Sequence, residues 1–247
     1  MPLPVALETN GRGWLGFLID LPGAFVRGAG LEETLAKVPG EARAYRRWLG
    51  LAEEDPGPAL VVQTFRSAAA IEDGDTRMLL EADRGEMAEA VFADLVRLAR
   101  RSERDILRLH DLAALPDWED PARARETFYG RNPRSLREIL NHVRITHDYY
   151  LSRVGLACRA PREDFPASRE EALAKLAELF RRENNGRVYE AEDGELWTLR
   201  KILRRFVWHD RIHARAMARI LMKQKKLGLI EGYEDPFGFS FQVFILL

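Results

Sequence analysis

Leu196-Trp-Thr-Leu199-Arg-Lys-Ile202-Leu-Arg-Arg-Phe206-Val-Trp-His209-Asp-Arg-Ile-His213-Ala-Arg-Ala-Met217-Ala-Arg-Ile220-Leu-Met-Lys-Gln224 is the stretch that decides the fold. Leu199, Ile202, Phe206, His209, His213, Met217 and Ile220 recur in steps of three and four, the spacing of one face of an α-helix. The pattern predicts a helix from about Leu196 to Gln224, with Gly228 beyond its end. Both histidines fall on the apolar stripe. Residues four apart sit about one turn apart and roughly 40° around the axis, so two such imidazoles can grip one cation. Zinc, nickel and ferrous iron all accept neutral imidazole nitrogen. His209-Asp-Arg-Ile-His213 lacks the glutamate of the HExxH motif, which argues against a peptidase. The competing reading is two core histidines satisfied by hydrogen bonds. Burying both rings without partners costs desolvation, and a shared metal would remove that cost.

Working outward, Met87, Val91, Leu95, Leu98, Ile106 and Leu109 mark a first long helix. Ser135 with Glu138 three residues on predicts the N-cap of a second helix, running to about Val154 and stopped by Gly155. Ser168 with Glu171 repeats the signature for a third, ending near Asn184-Asn185-Gly186. Four amphipathic helices joined by loops bury their stripes most economically as an all-α four-helix bundle, here over 76–228. In front lie apolar runs at Val5–Glu8, Trp14–Ile19 and Ala24–Arg27, then a helical stretch Leu31–Leu49, then Ala59–Phe65. This is an α+β unit of order β-β-β-α-β over 1–70. Pro39 predicts a kink or break in its helix, and Asp73-Gly74-Asp75 reads as a linker. The tail 229–247 is apolar from Phe237 onward. It is expected to pack on the fold or on a partner subunit, so a homodimer is one expected assembly.

A third ligand should come from another helix, and the second offers His142 and His147. Five residues apart, they lie roughly 140° apart and cannot serve one ion together. Leu136, Leu140, Val143, His147, Tyr150 and Val154 form one stripe, while Ile139, His142 and Thr146 form a less apolar neighbour. Periodicity leans towards His147 and leaves both open. His110, beside Asp111 at the end of the first helix, reads as a structural cation at a helix C-terminus.

Ser135-Leu-Arg-Glu-Ile-Leu-Asn-His142-Val resembles the second helix of the DinB-like (YfiT-like) metalloenzyme superfamily. Trp197 to His213, with its His-x3-His pair, resembles that family's last helix. The resemblance covers roughly 75–225 and implies a four-helix bundle whose three-histidine metal site, His142, His209 and His213, opens to a cleft. Family members include thiol-dependent S-transferases, a mycothiol-dependent isomerase and amidase-like hydrolases. It therefore implies a small-molecule substrate, a divalent metal and, for a transferase, a low-molecular-weight thiol. His147 stands where relatives often carry an acid, which implies a proton-transfer or supporting role. Three protein ligands leave room on a metal for water or thiol, either of which it can activate. Asp210, Asp148 and Glu138 are candidates to hold the ligand histidines, each also readable as an ordinary helix charge. Arg204, Arg205 and Arg211 are weak candidates for binding a substrate carboxylate.

Gly13-Trp14-Leu-Gly-Phe-Leu-Ile-Asp20-Leu-Pro22-Gly23-Ala and Gly28-Ala-Gly30-Leu-Glu-Glu-Thr-Leu resemble the start of HicB-like antitoxin domains, over about 3–67. That resemblance implies a binding or dimerising module. It supports an alternative in which the chain is an antitoxin-type interaction protein holding a structural metal. The glycines are turn chemistry, since no GxxxxGK[ST] phosphate loop occurs.

A formal net charge of −1 gives no global field towards nucleic acid or an anionic membrane, so neither is expected as a partner. One cysteine, Cys158, makes an intrachain disulfide impossible and fits a reducing compartment. No histidine motif sits beside it to make it a nucleophile. No signal peptide or spanning segment is expected, which together points to the cytoplasm.

Overall fold

The computed structural model describes residues 1–52, 55–160, 164–184 and 186–239. It is a mixed α/β fold, with an N-terminal four-stranded sheet and its helices followed by a helical region. The strands are β1 (Leu3–Thr9), β2 (Trp14–Leu18), β3 (Phe25–Gly28) and β4 (Ala59–Arg66), in spatial order β3-β2-β1-β4. β1 pairs antiparallel with β2 and parallel with β4. The parallel register slips between Val5 and Ala6, where Val5 faces Val61 but Ala6 faces Gln63.

The crossover into β4 is carried by α1 (Leu31–Ala36) and α2 (Val38–Leu49). The expected break is present. It falls at Lys37, so that Pro39 occupies the first turn of α2, where a missing N–H removes no helical bond. β1 and β2 are apolar almost without alternation because both faces of the sheet are covered. Val5, Leu7 and Val26 pack towards Ala42, Tyr45 and Trp48 of α2. Ala6, Phe17 and Phe25 pack on the other face against Met78, Leu80 and Trp208. β4 is an edge strand, with Leu60, Val61, Val62 and Phe65 exposed.

The helical region comprises α3 (Glu89–Asp111), α4 (Leu136–Arg144), α5 (Thr146–Ser152), α6 (Phe165–Glu183) and α7 (Leu199–Lys226). Two short hairpins, β5–β6 (Glu126–Thr127, Gly130–Arg131) and β7–β8 (Tyr189–Glu190, Leu196–Trp197), lie in its loops. The expected single second helix is two helices, divided at Ile145. Its expected cap holds: Ser135 Oγ accepts from the Glu138 N–H at 3.1 Å. The expected cap of the third helix is corrected. Asp164 Oδ1 accepts from the Ala167 N–H at 2.9 Å, and Pro166 in the first turn starts α6 before Ser168. Asn185 of the expected helix end, and residues 240–247 of the tail, lie outside the described residues.

α7 joins the two parts. Trp208 meets Phe17 and Phe25 of the sheet at ring distances of 6.1 and 6.3 Å, while other faces pack on α3, α4 and α6. Gly23, at φ +88°, lets the β2–β3 turn press on this helix; a Cβ there would meet Val207 Cγ1 at 2.5 Å. The stretch expected as a linker also packs here, with Gly74 against Ile212. Phe237 of the tail is fully buried and stacks on Trp48 at 5.5 Å. Among the described residues no helix is long and apolar enough to cross a membrane.

Most residues from Lys201 to Arg211 are buried, charged ones included, because acids elsewhere meet them. Lys201 pairs with Glu195 at 2.8 Å and Arg211 with Glu41 at 2.9 Å; Arg204 makes a two-pronged pair with Asp83. Arg204 and Arg211 are therefore structural ions in the fold's interior, not free to receive a substrate carboxylate.

Candidate metal centre

His209 and His213 stand one turn apart on α7, and α4 brings His142 opposite them. Ring centroids are 4.3 Å apart for His209 and His213, 4.7 Å for His142 and His213, and 5.4 Å for His142 and His209. One nitrogen from each lies within 4.8 Å of the others, and these three side chains are a group able to hold a metal ion. The Nε2 atoms of His209 and His213 are 3.1 Å apart. Two nitrogens bound at 2.0–2.1 Å with a tetrahedral angle would be about 3.3 Å apart, so that pair is already at ligand spacing. His142 is half-buried at the cleft wall.

All three are held neutral, the form that coordinates. Burial pushes His142 down to about 4. Burial first, then repulsion from neighbouring histidines, holds His209 and His213 well below the ordinary value. Nδ1 of His209 is buried and has no hydrogen-bond partner.

His147 is elsewhere. Its Nε2 accepts from Arg169 Nε at 2.8 Å, and its Nδ1 meets Ser168 Oγ. With its acceptor nitrogen facing a guanidinium, it is unavailable to a cation; periodicity rightly turned it inward, but it stands apart from the group of three. The same Arg169 clamps Asp210, with Nη1 to Oδ2 at 3.1 Å and Nη2 to Oδ1 at 3.0 Å; Ser102 Oγ adds a bond to Oδ2. His147 and Asp210 are thus brought together, but around Arg169 and not on the triad. Asp148 accepts the Cys158 N–H, and Glu138 accepts the Arg134 N–H. His110 sits 3.0 Å from Asp111, as a helix-end residue. Burial, and then the Glu171 carboxylate beside it, push the Cys158 thiol up, away from the reactive thiolate.

The triad lines a cleft of about 1340 Å³ between the sheet with α2 and the helices α4, α5 and α7. Sequence reasoning missed several of its walls. Tyr129, in the turn of the β5–β6 hairpin, lies over His142 at 4.7 Å, and nothing in a loop sequence announces that. Tyr150 meets His209 edge-on at 6.0 Å. Arg205 is buried among Trp197, Trp208 and Tyr150, with Nε and Nη1 unpartnered. The cleft-facing residues Arg205, His209, Ile212, Ala216 and Arg219 continue in steps of three and four, a signal that was readable along α7. Compared with protein-family models, with curated proteins and with solved structures, the chain finds no match.

Proposed function

We propose that this chain is a metal-dependent enzyme of the DinB-like type, its helical region being a four-helix bundle of that kind. In this reading His142, His209 and His213 hold one divalent ion, zinc, nickel or iron. The substrate is a small molecule in the adjoining cleft. The observation that carries the proposal is three neutral imidazoles from two helices meeting at one point of a cleft wall, with no fourth ligand residue in the group among the described residues. Three protein ligands characterise catalytic sites, and four characterise structural ones. A metal held there would activate a water, for hydrolysis, or a low-molecular-weight thiol, for transfer. Burial of the three rings keeps the ligands unprotonated at neutral pH. Tyr129 and Tyr150 flank the rings and narrow water's access to them. His147 and Asp210 act through the packing of α6 against α7 and not on substrate.

Metal analysis of untagged protein by inductively coupled plasma tests this, alongside a triple His142→Ala/His209→Ala/His213→Ala variant checked by circular dichroism. About one ion per chain in the first and none in the folded second is the expected outcome. An ion-free wild type, or an ion retained by the variant, removes the proposal. A second reading, an antitoxin-type binding protein with a structural metal, draws on the exposed apolar edge of β4. It requires a closed, four-ligand ion, which X-ray absorption spectroscopy distinguishes.

A further inference from the structure

The histidines do not account for the arginines around them. Three acids on the cleft wall are matched: Glu33 by Lys37, Glu41 by Arg211 and Arg215, and Asp73 by Arg125. The fourth, Asp75, accepts the backbone N–H groups of Ala70 and Thr76. Arg27, Arg123 and Arg219 line the same wall with no ion pair among the described residues. Arg27 Nη1 reaches the Ile71 and Glu72 carbonyls, and Arg123 Nε the Pro133 carbonyl at 2.8 Å; Asp73 and Asp120 act on them only through space, each already paired with another cation. Arg219 makes no hydrogen bond among the described residues. Its side chain is exposed at the mouth of the cleft; partial desolvation, then repulsion from Arg215, Arg27 and Arg123, pushes it down to about 10. Neighbouring cations repel one another, and an anion bound between them would relieve that repulsion. Neutral imidazoles bring no negative charge either, so any divalent ion on the triad would add to the same field.

We propose that Arg219, Arg123 and Arg27 form an anion subsite beside the histidine triad, receiving a carboxylate or phosphate group of the substrate. This rests on reading the cleft as the substrate site but does not require the metal. Arg219 lies six residues past His213, about 9 Å along α7. Arg123 stands near enough for its field to act on His213. An anionic group held there leaves the rest of a small molecule alongside the triad. Guanidinium forks match either oxyanion in a two-pronged geometry.

The test is calorimetric titration of metal-stripped protein with inorganic phosphate and with succinate. Wild type is expected to bind one or both, and the tighter of the two identifies the group. Arg219→Gln should weaken binding by about ten-fold or more, the loss of a charge-assisted contact. Arg137→Gln, outside the cleft, should not. Because Arg219→Gln loses only repulsion, its melting temperature should be no lower than wild type. Binding retained in Arg219→Gln overturns the subsite, as does wild type that takes up neither anion at about 10 mM, where a millimolar site would be mostly filled. The triple histidine variant separates the two proposals. Anion binding that survives there and is lost in Arg219→Gln sustains the subsite even if the metal reading has failed.

Discussion

Replacing Arg169 by methionine keeps aliphatic bulk between Phe165 and Phe206 and removes the charge that faces Asp210. Both side chains of the pair are 1% exposed. Arg169 also supplies donors to the Ala99 carbonyl at 2.8 Å and to His147 Nε2 at 2.8 Å. Deleting one partner of a buried pair costs about 3–5 kcal/mol, because a charge is left without its counterion. Two orphaned acceptors would add about 1–3 kcal/mol each if nothing relaxed. Asp210 limits the total, since burial already pushes its carboxyl up and the variant can take up a proton there. The expected loss at pH 7 is therefore about 4–5 kcal/mol, a large share of the roughly 5–15 kcal/mol of a typical domain.

The assay is urea unfolding at pH 7 and pH 5. With its folded-state value raised, Asp210 in the variant contributes stability that is present at low pH and lost as pH rises, so the gap to wild type should narrow at pH 5. The double variant Arg169→Met/Asp210→Leu should recover most of the loss, because a well-packed apolar pair can replace a buried ionic one. A single variant within about 1 kcal/mol of wild type, or a double variant no better than the single, would refute the reasoning. Metal content bears on function in the same experiment. If the folded double variant keeps its ion, the Arg169 knot supports the helices; if it loses the ion, the knot reaches the triad.

Zinc or nickel at about 100 times its dissociation constant should stabilise wild type by about 2.7 kcal/mol, raising the melting temperature by roughly 5–10 °C by calorimetry. Magnesium, which prefers oxygen ligands, should not. In metal-free protein, His142 at about 4 when folded against about 6.5 unfolded gives stability that is full above pH 6.5 and lost as pH falls towards 4; His142→Gln should flatten that slope in urea midpoints. Burial pushes Glu103 up to about 8, so its contribution runs the other way, present below about 4.5 and lost as pH rises to 8. Glu103→Gln should therefore unfold at higher urea than wild type at pH 9 and equally at pH 4. Gly23→Ala, which combines a positive φ with a Cβ 3.0 Å from the Trp208 backbone nitrogen, should cost about 2–3 kcal/mol and lower metal affinity through α7.

Periodicity was enough to place His209 and His213 on one face, and short apolar runs between glycines gave the element order β-β-β-α-β along the chain, though not the β3-β2-β1-β4 arrangement of the sheet. Choosing between His142 and His147 was beyond it. Both face inward, and what separates them is Arg169, a residue on α6 that no spacing on α4 or α5 can report. The same limit hid the role of Asp210, adjacent in sequence to a candidate ligand yet turned to a different neighbour. Helical pattern also assigns charges to the solvent face, so Arg204 and Arg211 read as free when their acids, Asp83 and Glu41, lie 121 and 170 residues away.

The histidines owe their position to what surrounds α7 on its other sides. That helix carries Lys201, Arg204 and Arg211 into the interior against acids from three separate segments, and it carries Trp208 onto the sheet. Each such pair fixes rotation and height, because a buried ion displaced from its partner is penalised far more than an apolar side chain displaced by the same amount. His209 lies between Trp208, packed on the sheet, and Asp210, clamped by Arg169. Hence the two imidazoles on α7 are set by the protein before any ligand arrives, while His142, on the short helix α4 that ends two residues later, is the member with room to adjust. Metal affinity should therefore fall more for a change that loosens α7, such as Arg211→Met, than for one of equal stability cost on α4, such as Ile139→Ala. Equal losses of zinc affinity in the two variants would show that the site is preorganised no better on one helix than on the other.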